Sequence, residues 1–224
     1  MYKKTSFIIL ALLGAFTVNA QTQKGNQLLG GSIFFSTSKN TNDYFVNPDY
    51  QYNASNERKF TGFSIGPSYS YFVANNLDLG VNAGYNTSKI TYTYPSGNIN
   101  NQPGEAKTNG YSASVYLRKY YLYNNKIGIR TGPFAQYSYS RQKEKYANPN
   151  PYNNEYDNKD FGAGLGLDLV FFPTRHLGFS TTIGTLAYSH SDREQYNNHY
   201  KDDSFNLSLA TSGLTLSAFY AFGK

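Results

Sequence analysis

The 224-residue sequence contains no cysteine and no tryptophan, and only one methionine. Without cysteine there are no disulfides, no thiolate metal ligands and no attachment point for an N-terminal acyl anchor. Charge is sparse as well, at 15% of residues, with 20 Lys and Arg against 14 Asp and Glu. The basic residues are scattered among acids in polar segments rather than gathered on one face, so nucleic acid is not an expected partner. Long apolar runs are missing too. Beyond the first 20 residues no stretch approaches the 18 apolar residues that a membrane-spanning helix requires. A barrel that crosses with strands is untouched by that exclusion, because only every second residue of each strand faces lipid.

What is present starts with a leader. Lys3 and Lys4 precede the apolar stretch 7–18, and Val18, Asn19 and Ala20 form a small-residue site before Gln21. This three-part order predicts a cleavable signal peptide over 1–20 and a single mature domain over 21–224. Removing two lysines leaves 18 basic against 14 acidic residues.

The mature chain has a period of two. Phe63, Ile65, Pro67, Tyr69 and Tyr71 share one parity, with Ser64, Gly66, Ser68 and Ser70 on the other. Leu77, Leu79, Val81, Ala83 and Tyr85 alternate with Asp78, Gly80, Asn82 and Gly84, and Gly162, Gly164 and Gly166 alternate with Ala163, Leu165 and Leu167. Such alternation defines strands, and that many glycines exclude a helix. The same test predicts eight strands near 27–38, 60–72, 77–92, 108–122, 127–141, 158–172, 177–190 and 203–222. The last changes parity around Ser212 and Gly213, where a bulge or short break is expected. Short links at 73–76, 123–126 and 173–176, carrying Asn or Pro, alternate strictly with long ones near 39–58, 93–107, 142–157 and 191–202. Short turns at one end and long loops at the other describe an up-and-down antiparallel meander.

A soluble, lipocalin-like ligand-binding barrel would share this alternation, so the contents of the two faces must separate the cases. The weakly apolar face is mostly Gly, Ser and Asn, which suits a narrow polar lumen better than a dry core. The Leu, Ile, Val, Phe and Tyr face must then point outward, a position tolerable only in lipid. The 23 Tyr and 16 Phe agree with this. Tyr71, Phe72, Tyr120, Tyr121, Phe171, Phe172, Tyr220 and Phe222 gather at the turn ends, and Tyr92, Tyr94, Tyr111, Tyr137 and Tyr139 toward the loops, as two interfacial girdles. The expected fold is therefore all-β, a closed transmembrane β-barrel of about eight strands with short periplasmic turns and long extracellular loops.

The leader, the strand count, the loop alternation and the ending 214–222 resemble the small outer-membrane barrel domains of OmpA-like and OmpX-like type. The resemblance covers residues 21–224 and implies location in the outer membrane of a Gram-negative bacterium, contact with its lipid, and delivery by the barrel-assembly machinery. Tyr220 and Phe222 correspond to that family's C-terminal assembly signal. The family usually finishes on the aromatic residue itself, whereas Gly223 and Lys224 follow here.

Candidate chemistry is confined to a few groups. Asp78, Arg118, Arg130 and Asp168 share the inward parity on four successive strands at similar depth, which predicts a lumenal salt-bridge cluster, since buried charge is costly unless paired. Its functional alternative is an ion gate. Tyr44, Phe45, Tyr50 and Tyr52 in the first long link, and Tyr146, Tyr152 and Tyr156 in the third, are candidates for contact with an unknown extracellular ligand or surface. His176, His190 and His199, the last two near Asp192 and Glu194, form no convincing nucleophile, acid pair or metal set, so neither catalysis nor a metal or other cofactor is expected. Two functions remain open, a structural or surface-interaction barrel and a narrow passive channel. Eight strands enclose a space that side chains fill, which favours the first.

Overall fold

A computed structural model describes residues 21–45, 53–93, 103–146, 154–195, 198–209 and 216–223. Nine strands are present among them: β1 (Gln27–Phe45), β2 (Asn53–Ala74), β3 (Leu77–Thr93), β4 (Pro103–Tyr123), β5 (Ile127–Tyr146), β6 (Asn154–Phe171), β7 (Leu177–Gln195), β8 (Asn198–Leu209) and β9 (Leu216–Phe222). Each pairs antiparallel with the next from β1 to β7, and β9 joins β7 to β1, so the sheet closes on itself through eight strands. β8 and β9 divide the predicted last strand. β8 continues the pairing of β7 toward the loops, β9 toward the turns. On β7 Gly184 pairs with Leu209 of β8 and Thr181 with Leu216 of β9, so both segments lie along the same strand. The break expected at Ser212 and Gly213 lies outside the described residues.

Turn chemistry explains the short connections. Asn124 and Asn125 both have positive φ, 48° and 56°, and Asn76 has φ 60°. Asparagine tolerates this left-handed region, and two such residues in succession give a turn whose twist matches that of the strands it joins.

At the loop end the strands run beyond their predicted limits. β1 and β2 pair out to Phe45 and Asn53, and β5 and β6 to Glu144 and Asn154. The apolar alternation stops earlier than the pairing because an outward face above the lipid has no need to be apolar, while the backbone ladder is satisfied equally well there.

Outward positions carry Leu29, Ile33, Phe35, Ile65, Val81, Val115, Leu165 and Leu207, all exposed. Inward positions are mostly small and polar, with one departure from expectation. At the turn end Leu28, Phe72, Tyr120, Val170, Phe172, Phe219 and Ala221 form a buried apolar cluster inside the ring, with Leu122 packed against it. Phe72, Tyr120 and Phe172 therefore do not belong to the outer girdle. Each is one member of an aromatic doublet, and alternation turns its neighbour, Tyr71, Tyr121 or Phe171, to the outside while turning it to the lumen. Phe72 lies 5.4 Å from Tyr120, and Phe172 lies 5.4 Å from Phe219 in an edge-on contact. Gly178 makes room for that contact, because a Cβ there would meet the Phe219 ring at 2.0 Å.

Candidate functional site: a charged network across the lumen

Directly above the aromatic floor lie the inward charges. Antiparallel register sets Asp78 of β3 opposite Arg118 of β4, and Arg130 of β5 opposite Asp168 of β6. Arg118 grips Asp78 through two nitrogens, Nη2 to Oδ2 at 2.9 Å and Nε to Oδ1 at 3.3 Å, while its guanidinium lies 3.6 Å above the Tyr116 ring. Arg130 Nε donates to Asp168 Oδ2 at 2.8 Å. A tyrosine joins the two pairs: Tyr120 Oη donates to Asp78 Oδ2 at 3.0 Å and accepts from Arg130 Nη1 at 3.2 Å. Ser70 of β2 donates to Asp78 at 2.8 Å, Thr182 of β7 donates to Asp168 at 2.7 Å, and Arg130 Nη2 donates to Ser180 of β7 at 2.8 Å.

The network thus runs across the lumen from β2 to β7. Asp78 is fully buried and its Oδ2 accepts from Ser70, Arg118 and Tyr120. Two acids and two bases cancel in net charge, and the hydroxyls occupy capacity that the ion pairs leave over, which is the condition under which buried charge is tolerable. Sequence parity pointed to the four charged residues. Tyr120, expected in the outer girdle, and Ser70 share the inward parity of their strands, and both join the network; Ser180 and Thr182 are further members that the sequence pattern does not mark. A register shift opposite Leu167 and Asp168 reverses the inward parity of β7, and this hid Ser180 and Thr182 from the pattern. Toward the loops the network borders a cavity of about 200 Å³ lined by Ser32, Ser68, Asn82 and Ser217 along with the two arginines.

Beneath the floor, residues 21–26 fold across the turn end. Gly25 N donates to Phe72 O at 2.9 Å, Phe72 N donates to Asn26 O at 2.9 Å, and Asn76 N donates to Thr22 O at 2.7 Å. Thr22 Oγ1 donates to Asn76 Oδ1, and Gln21 Nε2 donates to Thr174 O at 2.8 Å. Gln21 and Thr22 are buried by this arrangement. A short polar segment ahead of β1 has no periodicity to reveal such a role.

The loop candidates divide. Tyr50, Tyr52 and Tyr152 lie outside the described residues, and of Tyr44 and Phe45 only the backbone is described, at the end of β1. Tyr146 and Tyr156 are half-buried on the inward parity and both donate to Glu144 Oε2, at 3.3 and 3.1 Å, while Asn154 donates to both hydroxyls. Burial raises both phenol pKa values. Outside this cluster, Arg141 holds the carboxyl of Asp157 below its ordinary range through a pair of bonds at 2.7 and 2.9 Å, and Lys89 does the same to Glu105 at 2.8 Å.

Tyr220 and Phe222 point outward from β9, the strand that closes the ring, and the His176 ring stacks on Tyr220 at 5.3 Å. His190 lies within β7 rather than at a loop edge, outward, with Nδ1 2.7 Å from Asp203, which also accepts from Tyr188. Among the described residues no three His, Asp or Glu side chains gather as a metal set.

Solved structures of bacterial outer-membrane proteins align with this chain. Ail, the attachment invasion locus protein of Yersinia pestis, aligns over 89% of this chain and 100% of its own at 12% identity and a TM-score of 0.40. OprG of Pseudomonas aeruginosa aligns over 92% and 100% at 12% identity and a TM-score of 0.44. The N-terminal β-barrel domain of OprF from the same organism aligns over 89% and 98% at 12% identity and a TM-score of 0.26. No curated protein matches the sequence. The model of the outer membrane protein β-barrel domain matches residues 8–212, so the chain belongs to that family and its barrel is an outer-membrane barrel.

Proposed function

We propose that this protein is a closed, non-conducting outer-membrane barrel with a structural or surface-interaction role carried out at its extracellular rim. The observation that carries this reading is the network of Asp78, Arg118, Tyr120, Arg130 and Asp168, which reaches across the lumen above an aromatic floor. An ion following the axis would have to separate both buried ion pairs and then pass Phe72, Phe172 and Phe219, which costs several kcal/mol in desolvated charge alone. The segment 21–26, folded beneath, fits cleavage after Ala20 and closes the turn end further.

The contact surface under this reading is the loop-end rim, including Tyr44, Phe45, Tyr50, Tyr52 and Tyr152, with Tyr146 and Tyr156 bracing the rim through Glu144. Single-channel recording in planar bilayers tests the closed lumen. The refolded mature protein is expected to give no steady unitary current, and Arg118→Ala with Arg130→Ala to give flickering steps. Stable, ion-selective steps from the unmodified protein would replace this reading with the narrow passive channel.

A further inference from the structure

The outward face of the barrel carries a ladder that repeats on every loop-end hairpin. Each has one directly opposed aromatic pair: Phe35 with Phe63, Tyr85 with Tyr111, Tyr137 with Phe161, and Tyr188 with Phe205. Aromatic side chains of this kind sit at the level where hydrocarbon gives way to headgroups. Four residues further toward the loops, each hairpin has a directly opposed charged pair. On the third and fourth hairpins these are complementary, Arg141 with Asp157 and Asp192 with Lys201. On the first two they are alike, Lys39 with Lys59 and Lys89 with Lys107.

Like charges directly opposite each other on one sheet face repel. Lys39 is offset by Glu57 at 2.7 Å and Lys89 by Glu105 at 2.8 Å, but among the described residues neither Lys59 nor Lys107 enters an ion pair. Between the aromatic and lysine rungs stand small polar pairs, Thr37 with Thr61 and Thr87 with Asn109, the latter joined by a hydrogen bond of 2.9 Å. Lys107 also faces Lys143 of β5, whose own charge is offset by Glu155 at 2.6 Å, so β5 offers Lys107 no counter-charge. On the opposite side β7 and β8 present Asp192, Glu194 and Asp203 outward with Lys201. The excess of positive charge is thus confined to the β1–β5 side.

Four strand residues advance about 13 Å along the strand, or roughly 9 Å along the membrane normal at a tilt of about 45°. Measured from the aromatic rung, that is the level of the headgroups. We propose that the pairs Lys39/Lys59 and Lys89/Lys107 are two clamps for phosphate-bearing lipid headgroups of the outer leaflet, with the rungs below them lying against the upper part of the same lipid. A headgroup phosphate brings the negative charge that the unpaired lysine of each hairpin lacks. The proposal needs the barrel to sit in the outer membrane but is independent of whether its lumen conducts.

The test uses the mature protein in nanodiscs of phosphatidylcholine containing diphosphoryl lipid A, with the lipid A retained per barrel measured by mass spectrometry after washing. The unmodified protein is expected to retain lipid A in a salt-sensitive manner. Lys59→Gln with Lys107→Gln should lower retention about fivefold at each clamp, taking the usual contribution of one lysine at an anionic surface. Lys59→Arg with Lys107→Arg should keep it, and Lys201→Gln on the complementary side should leave it unchanged. A heat-dependent shift on SDS gels establishes that each variant is folded before it is compared. Equal retention by the Gln variant and the unmodified protein, or full displacement of lipid A by an equal concentration of inorganic phosphate, would overturn the proposal.

Discussion

Tyr120 shows how much can rest on one hydroxyl. It is the hydrogen-bonded link between the Asp78 pair and the Arg130 pair, and its ring also packs against Phe72. Tyr120→Phe keeps the ring and removes a donor to a buried carboxylate, so it should lower stability by about 1–3 kcal/mol, read from urea unfolding in lipid vesicles. Arg118→Ala should cost more, about 3–5 kcal/mol, because it leaves Asp78 charged and buried without its cation. If the two variants unfold at the same urea concentration as the unmodified protein, the network contributes no stability. Parity placed the four charged residues of this network in the lumen, but parity says only which way a side chain points. Tyr120 shares that inward parity with Arg118, but that its hydroxyl meets Arg130 follows from register.

Among the elements, the turns and the rim respond to different variables. The Asn124 and Asn125 turn depends on two residues in the left-handed region, where a β-branched side chain is strained by about 1–2 kcal/mol. Asn125→Val should therefore slow hairpin formation and lower the unfolding midpoint, whereas Asn125→Gly should not. The rim responds to acid. Asp157 and Glu105 have folded pKa values below the ordinary carboxylate value, so the stability they contribute is present above that value and is lost as pH falls through it toward the depressed one. Hydrogen-exchange protection at the outer ends of β3–β4 and β5–β6, taken relative to the free-peptide rate at each pH, should be high at neutral pH and should fall below about pH 4, by a modest amount because these pairs are largely exposed. Unchanged protection at pH 3 would mean that the pairs do not hold the rim. The extent of these outer strands was not legible in the sequence, because apolar alternation reports lipid contact and stops where the lipid stops, while hydrogen-bonded pairing goes on.

For the whole molecule, closure is the property that matters. A ring in which β9 bridges β7 and β1 leaves few backbone groups unpaired at the turn end, and opening it in hydrocarbon would expose them at several kcal/mol each. The folded barrel should consequently resist SDS at room temperature and migrate differently from the boiled chain. A single band, identical before and after heating and found in a soluble periplasmic fraction, would contradict a membrane barrel. Deleting residues 21–25 should lower the temperature of that transition, since it removes the bonds that tie the floor to the β2–β3 and β6–β7 turns.

The amino-acid sequence by itself determined the class of fold, the number of ring strands, which faces meet lipid, and which end carries the short turns. All of these follow from local quantities, the period of two, the polarity of each parity, and the turn chemistry of Asn and Pro, and local quantities are written in neighbouring residues. Only the tertiary structure decided that Asp78 pairs with Arg118 and Arg130 with Asp168, that Tyr120 joins them, that residues 21–26 close the floor, and that Lys39 faces Lys59 while Lys89 faces Lys107. Those relations depend on register, and register is set by the closing of the whole ring, where one residue of slip on any strand would turn every side chain to the opposite face.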